Sequence, residues 1–320
     1  MNGDIITGDA MTTTEIIVLS ADADALTAAL RKDLPANTRI HACTDNTQLP
    51  AIAASASVVL AAPDRLLQAL PALPALQWAQ STWAGVTPLI NAPRQDYRLT
   101  GVKGLFDAAI SEYVLAWMLA LQRKVLQRAG ATQWDPIPDG SLAGKKVGVM
   151  GTGALGMAVA RRAEAFGVEL AGLNTRGEAE APFARCYRSE DRLAFARHLD
   201  FVIALMPDTP ATRGLIDSDF LHALPRGAVL INAGRANAVD HKALRLSREA
   251  GHLRAAVLDV LPVEPLPEDD PLWRTEGIYI TSHTAAPTEI TAIAPLFLDN
   301  LRRFLAGEAL RYEINFTRGY

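Results

Sequence analysis

The sequence predicts an α/β protein of two Rossmann-like, doubly wound domains with parallel sheets. Three observations predict it. Short apolar runs alternate with helix-like segments along most of the chain. A G-x-G-x-x-G series stands at Gly151, Gly153 and Gly156, far from the N-terminus. The alternation also starts afresh at Lys146, just ahead of that series, so one α/β unit follows another.

The 320 residues suffice for two domains of ordinary size, and 49% are apolar, enough for sizeable cores. The formal charge is −4, from 31 basic and 35 acidic residues, without a long run of one sign. That speaks against nucleic acid or an anionic membrane as the main partner. No apolar stretch reaches the roughly 18–20 residues of a membrane span. The two cysteines, Cys43 and Cys186, make neither a disulfide framework nor a zinc site, so a reduced protein without a metal is expected. The opening MNGDIITGDAMTTTE lacks the basic and apolar regions of a signal peptide. It reads as a loose tail with Met11 as an alternative start, and the expected compartment is the cytoplasm.

TEIIVLS (Thr14–Ser20) is the first strand and DADALTAALRKDL its helix. VVLAA (Val58–Ala62) and LQWAQST (Leu76–Thr82) continue this unit, which contains nothing resembling a phosphate loop. DAAISEYVLAWMLALQRKVLQRAG (Asp107–Gly130) is one long helical stretch ending in Gly, and ATQWDPIPDGSLAGKK is a connection broken by Pro and Gly. KKVGVM, VELAGLN, FVIALM, AVLINAG, AAVLDV and GIYITS are the strands of a second, more regular unit. TEITAIAPLFLDNLRRFLAGE is an amphipathic helix with no strand after it, able to return to the first domain. The expected boundaries are 1–110 with 288–320 for a substrate domain and 111–287 for a dinucleotide-binding domain.

A glycine pattern alone is a weak signal, and its context decides. KKVGVM supplies a buried strand before Gly151, and ALGMAVARRAEAF a helix after it. One glycine then serves the sharp turn, one the close approach of backbone to a pyrophosphate, and one helix–strand packing. The helix N-terminus faces the phosphates. Gly151, Thr152, Gly153, Ala154, Leu155 and Gly156 are the expected cofactor contacts in this loop. The next strand ends at Asn174, where an Asp or Glu would grip the ribose 2′-hydroxyl of NAD. Here the run is Asn174, Thr175 and Arg176, with no acid until Glu178. Arg pairs with a 2′-phosphate and Thr can donate a hydroxyl, so NADP (as NADPH) is the preferred cofactor, with NAD as the alternative.

Three chemically active residues follow three later strands: Arg235 after AVLIN, Glu264 after AAVLDV, and His283 after IYIT. Ligands of open parallel sheets bind outside the carboxyl ends of the strands. Arg235 can hold a carboxylate and polarise a neighbouring carbonyl. His283 can protonate a carbonyl oxygen as hydride reaches the carbon, and Glu264 can orient its ring. The expected reaction is reduction of a 2-keto acid. The remaining histidines, His41, His198, His222, His241 and His252, lack this placement and read as surface or loop residues.

LAGKKVGVMGTGALGMAVA, LMPDTPATRGLID, LPRGAVLINAGRANAVD, AAVLDVLPVEPLPEDDPLW and ITSHTAA, in this order and spacing, resemble the D-isomer-specific 2-hydroxyacid dehydrogenase family. WAGV (Trp83–Val86) and SEYVLAWMLALQR match more weakly upstream. Thr175-Arg176 and the RGY terminus (Arg318–Tyr320) are most like the glyoxylate/hydroxypyruvate reductase A branch. The resemblance implies that Arg235 binds the substrate carboxylate and carbonyl, and that Glu264 pairs with the acid/base His283. It implies that Asp259 holds the nicotinamide carboxamide, and that Leu205, Met206, Pro207, Ala233, Gly234 and Ala285 also contact the cofactor. Backbone at Trp83, Ala84 and Gly85 would bind the substrate carboxylate. It further implies a cofactor domain inserted into the substrate domain, closure over substrate, and a homodimer through the cofactor domain. Ala236 follows the catalytic Arg where the family commonly has Gly, and Thr87 follows GV where Asp is frequent. Two alternatives stand beside this reading. One is an NAD-linked dehydrogenase of a larger D-2-hydroxy acid, with Trp83, Leu105, Phe106 and Trp273 lining an apolar pocket. The other is a cofactor-sensing protein of corepressor type, which the intact Arg235–Glu264–His283 set disfavours.

Overall fold

The computed structural model describes residues 13–319, apart from Pro50, Ile137, Pro287 and Thr288. The N-terminal tail up to residue 12, the expected boundary at 287/288 and the last residue of the RGY terminus lie outside the described residues. The chain divides into two compact units, Met1–Leu105 with Thr288–Tyr320, and Phe106–Pro287. The second is thus inserted into the sequence of the first. The first division falls ahead of the 110/111 expected from sequence, because the helix Asp107–Gln122 packs along the helix Ala154–Ala163 of the second unit.

The first unit holds a five-stranded sheet of β1 (Thr14–Leu19), β2 (Thr38–Cys43), β3 (Val58–Ala61), β4 (Trp78–Ser81) and β5 (Arg98–Thr100). Its order is β2-β1-β3-β4-β5, with every pair parallel. The inner strands β1, β3 and β4 are covered on both faces; β1 and β3 accordingly read as apolar runs, whereas β4 also buries Gln80 and Ser81. The helix Ala294–Leu305 belongs to this unit. Its Phe297 ring stacks on the buried Trp78 at 5.2 Å between centroids. Removing a Phe side chain from water is worth about 1.5–3 kcal/mol. Buried Asn300 donates to Gln80 Oε1 at 3.2 Å and accepts from Arg311 N at 2.8 Å, so the helix is tied to the sheet by polar groups as well. Among the described residues no strand follows this helix, as expected; a single antiparallel bridge of Glu313 to Thr100, with Ile314 N donating to Leu99 O at 2.7 Å, ties the C-terminal segment to β5.

The second unit holds β6 (Lys146–Met150), β7 (Glu169–Leu173), β8 (Arg185–Tyr187), β9 (Phe201–Ala204), β10 (Val229–Asn232), β11 (Ala255–Leu258) and β12 (Ile278–Ile280). Their order is β12-β11-β10-β9-β6-β7-β8, all parallel. Counted from β6, this is the Rossmann order 3-2-1-4-5-6 with one more strand outside the sixth. The order reverses between β6 and β9, and the glycine series lies at the C-terminal end of β6.

The single helix expected over Asp107–Gly130 is two. Helix Asp107–Gln122 ends at Arg123, Lys124 takes a left-handed φ of 50°, and a short helix Val125–Ala129 follows. The edge strands β2, β5 and β8 were not anticipated from the sequence. His41 accordingly lies within β2, its Nε2 2.7 Å from Glu15 Oε2 on β1, rather than in a loop. Cys43 and Cys186 are both buried, and Cys43 Sγ donates to Asp45 O at 3.0 Å. Among the described residues no helix is long and apolar enough to cross a membrane.

Candidate active site

β6 is buried from Val147 to Met150 and ends against Gly151, whose φ of +95° suits a residue without a side chain. Gly151 N donates to Leu173 O at 2.9 Å, tying the turn to the end of β7. Gly156 lies in the first turn of helix Ala154–Ala163, where a Cβ would run into the Gly151 carbonyl oxygen. These two glycines let strand, turn and helix pack tightly. Gly153 differs: a Cβ there would meet nothing within 4 Å, and Gly153 and Ala154 are exposed. Thr152 and Leu155 are half-buried beside them. Open space in front of the N–H groups of a helix start is the cradle a pyrophosphate fits. The residues present therefore suit a dinucleotide.

Asn174 ends β7, and its side chain is fully engaged within the loop. Nδ2 donates to Thr152 Oγ1 at 2.9 Å and to Glu178 O at 3.0 Å; Oδ1 accepts from Arg176 N at 3.0 Å and Gly177 N at 2.7 Å. The side chain thus joins the glycine loop to the loop after β7. Thr175 and Arg176 project into solvent, and Arg176 Nε lies 3.2 Å from Glu178 Oε2 with both side chains mostly exposed.

β10, β11 and β12 are consecutive neighbours, so residues following them leave the sheet at one end, side by side. Arg235 follows β10. Its NH1 donates to Gly234 O at 2.6 Å, and Asn232 Nδ2 donates to Arg235 O at 3.2 Å, which fixes the backbone. Burial lowers the Arg235 pKa from its ordinary value, while Asp208 and Glu264 push it back up. A guanidinium stays charged through such a shift. Asp208 is itself held by Asn237 and by Arg213 Nε at 3.3 Å.

Glu264 follows β11, its Oε1 accepting from Leu261 N at 2.8 Å. Its Oε2 lies 2.8 Å from Nδ1 of His283, which follows β12. A carboxylate accepts, so Nδ1 carries the hydrogen and Nε2 is left for another partner. Both side chains reach solvent, His283 at 57% and Glu264 at 38% exposure. Ser282 and His283 have φ of 54° and 57°, two successive left-handed non-glycine residues.

Asp259, buried at the end of β11, holds that turn. Its carbonyl accepts from His283 N at 2.7 Å, and its Oδ1 accepts from Thr281 Oγ1 at 2.6 Å, Thr284 N at 2.8 Å and Ala285 N at 3.1 Å. Tyr113 OH lies 2.8 Å from Thr281 Oγ1. The sequence reading missed Tyr113 and Thr281, although Thr281 stands two residues before His283 in ITSHTAA. Leu205, Met206, Ala233, Gly234 and Ala285 form the buried backbone ends around β9, β10 and the His283 turn, and Pro207 is exposed. In the first unit Trp83 and Ala84 are exposed and Gly85 half-buried just past β4, shaped by Ser81 Oγ, which accepts from Trp83 N at 3.0 Å.

Residues 115–285 match the family described as D-isomer specific 2-hydroxyacid dehydrogenase, NAD binding domain. Glyoxylate/hydroxypyruvate reductase A of Salmonella paratyphi B is 33% identical over 188 residues, 58% of this chain and 60% of that protein. The match thus spans 60% of the length of this curated relative. A D-isomer specific 2-hydroxyacid dehydrogenase family protein of Aeromonas salmonicida superimposes with a TM-score of 0.89 at 32% identity, covering 95% of this chain and 100% of its own. An NADPH-dependent glyoxylate/hydroxypyruvate reductase of Sinorhizobium meliloti, in complex with NADP and sulfate, gives 0.86 at 26% identity, covering 96% and 100%. A D-isomer specific 2-hydroxyacid dehydrogenase of Xanthobacter autotrophicus, in complex with NADPH and MES, gives 0.84 at 28% identity, covering 97% and 100%.

Proposed function

This chain belongs to the D-isomer specific 2-hydroxyacid dehydrogenase family, and on that premise we propose that it reduces a small 2-keto acid, such as glyoxylate or hydroxypyruvate, to the D-2-hydroxy acid with NADPH. The observation that carries the reading is the 2.8 Å contact of His283 Nδ1 with Glu264 Oε2, on strand ends next to that of the half-buried Arg235. Within the family the reading is the glyoxylate/hydroxypyruvate reductase A branch, supported by the Salmonella and Sinorhizobium likenesses.

Bound at the glycine loop, the nicotinamide cofactor supplies the hydride. Arg235 takes the substrate carboxylate in its fork and polarises the adjacent carbonyl. Glu264 fixes the His283 ring through Nδ1, so that Nε2 gives its proton to the carbonyl oxygen. The Glu264 charge stabilises the ring while it carries that proton. Gly151 to Gly156 bind the pyrophosphate, Thr175 and Arg176 the 2′-phosphate, and Asp259 the carboxamide. Leu205, Met206, Pro207, Ala233, Gly234 and Ala285 wall the cofactor. The role of Asn174 shifts from contact to support, since its amide is spent on Thr152 and the loop. NADPH preference is further supported by the NADP or NADPH held by the Sinorhizobium and Xanthobacter relatives.

A steady-state screen of glyoxylate, hydroxypyruvate and larger keto acids with NADPH and NADH tests the reading. Fast turnover of the small acids with NADPH is expected; no turnover of any keto acid, or a clear NADH preference, would sink it. A homodimer through the second unit belongs to the same proposal, supported by the exposed apolar side chains Val125, Leu126 and Trp134, the last 93% exposed. Light scattering should give twice the 34.4 kDa chain mass.

A further inference from the structure

We propose that Tyr113 is a positioning residue for the reaction: its hydroxyl anchors, through Thr281, the buried Asp259 that holds the His283 turn. The inference rests on the acid/base role given to His283 above.

The direction of the relay follows from donor counting. Asp259 Oδ1 already receives the N–H groups of Thr284 and Ala285, so it acts as an acceptor. Thr281 has one hydroxyl hydrogen and gives it to Oδ1 at 2.6 Å. Tyr113, 2.8 Å away, must then be the donor to Thr281. Burial raises the Tyr113 phenol pKa far above its ordinary value, so it keeps its hydrogen at neutral pH.

The relay ends where the local backbone is least relaxed. Ser282 and His283 are both left-handed, and this conformation persists only if the surroundings hold it. Asp259 supplies that hold through its carbonyl to His283 N and through Oδ1 to the residues on either side. Oδ2 accepts from Ala285 N at the longer distance of 3.2 Å, so Oδ1 carries most of the carboxylate's hold on the turn. Tyr113 therefore acts, through Thr281, on the carboxylate oxygen that holds the turn. It does so from the helix Asp107–Gln122, with Trp117 of that helix 5.1 Å from the Tyr279 ring of β12. The helix thus meets β12 and the residue just after it at two points.

The experiment compares Tyr113→Phe, Thr281→Val, Thr281→Ser and the Tyr113→Phe/Thr281→Val double variant of the full chain. Kinetics, NADPH affinity by fluorescence, and the histidine side-chain NMR spectrum without cofactor are the readouts. Tyr113→Phe should lower kcat about five- to tenfold, the loss of one partly buried hydrogen bond, and Thr281→Val at least as much, since it breaks both bonds of the relay. KM and NADPH affinity should stay within about twofold, and Thr281→Ser should keep most of the rate. The double variant should be no worse than Thr281→Val, as members of one relay are not additive. The His283 signals should move in Tyr113→Phe while those of His41, in the other unit, stay put. Wild-type kcat with an unmoved His283 spectrum in Tyr113→Phe would overturn the proposal. So would fully additive losses, or a lower melting temperature alone. Were the parent protein to turn over no keto acid, the functional reading would fail, while the His283 spectrum would still test the relay.

Discussion

Replacing Glu264 by Gln removes a charge from the candidate site while nearly preserving its shape. Oε1 accepts from Leu261 N and Oε2 meets His283 Nδ1 at 2.8 Å, and a Gln carbonyl can serve only one of these partners. When His283 carries its proton, the centres of the two charges are about 4 Å apart. Their attraction is about 1 kcal/mol in water and about 4 kcal/mol at an effective dielectric of 20. With exposures of 57% and 38% the pair is well solvated, so the lower part of that range applies, about 1–2 kcal/mol. That corresponds to about a five- to thirtyfold loss of kcat. NADPH affinity, set at the glycine loop, should hold. Stopped-flow hydride transfer with a saturating keto acid, alongside fluorescence titration of NADPH, measures both quantities. A kcat within twofold of the parent enzyme would refute the reasoning, for then the carboxylate would only support the loop through Leu261.

Arg235→Ala should lower kcat/KM for keto acids by about a hundredfold or more, since a charged, bidentate anchor and carbonyl polariser are lost together; steady-state kinetics checks it. Arg176→Ala should raise KM for NADPH by about tenfold and leave that for NADH nearly unchanged, as read from paired titrations. Gly156→Ala should lower both the melting temperature and NADPH affinity, because a Cβ there collides with the Gly151 carbonyl and the turn must open. Burial lowers the His241 pKa, against the opposing pull of Asp240, so the unfolded chain binds the extra proton first. The stability this group contributes is complete above its unfolded pKa of 6.5 and is lost as pH falls below it. His241→Gln should therefore flatten the fall in melting temperature on acidification below pH about 6.5.

Legibility followed burial. β1, β3, β6 and β9 to β11 are sheathed on both faces or nearly so, and their largely apolar runs stand out from the helices around them. β2, β5 and β8 lie at sheet edges, where TRIHAC, RLT and RCY mix charge with apolar residues and look like loops. The break at Lys124 left no trace either, since neither Gly nor Pro marks it and a lysine adopts the left-handed turn. Arg235, Glu264 and His283 were visible because each stands just past a strand run, and parallel strands share one carboxyl end.

The sequence by itself determined the class of fold, the place of the glycine turn and the residue types gathered at the strand ends. These depend on local patterns: apolar period, glycine spacing and chain order. Only the tertiary structure decided what the polar groups do to one another. Asn174 sits in the right place to meet a cofactor, yet its amide is consumed by Thr152, Arg176, Gly177 and Glu178. Tyr113 reads as one aromatic in an apolar helix, yet it reaches Thr281, 168 residues away in sequence. Hydrogen bonds act over about 3 Å, and which groups come within that distance is set by how the helices and strands pack.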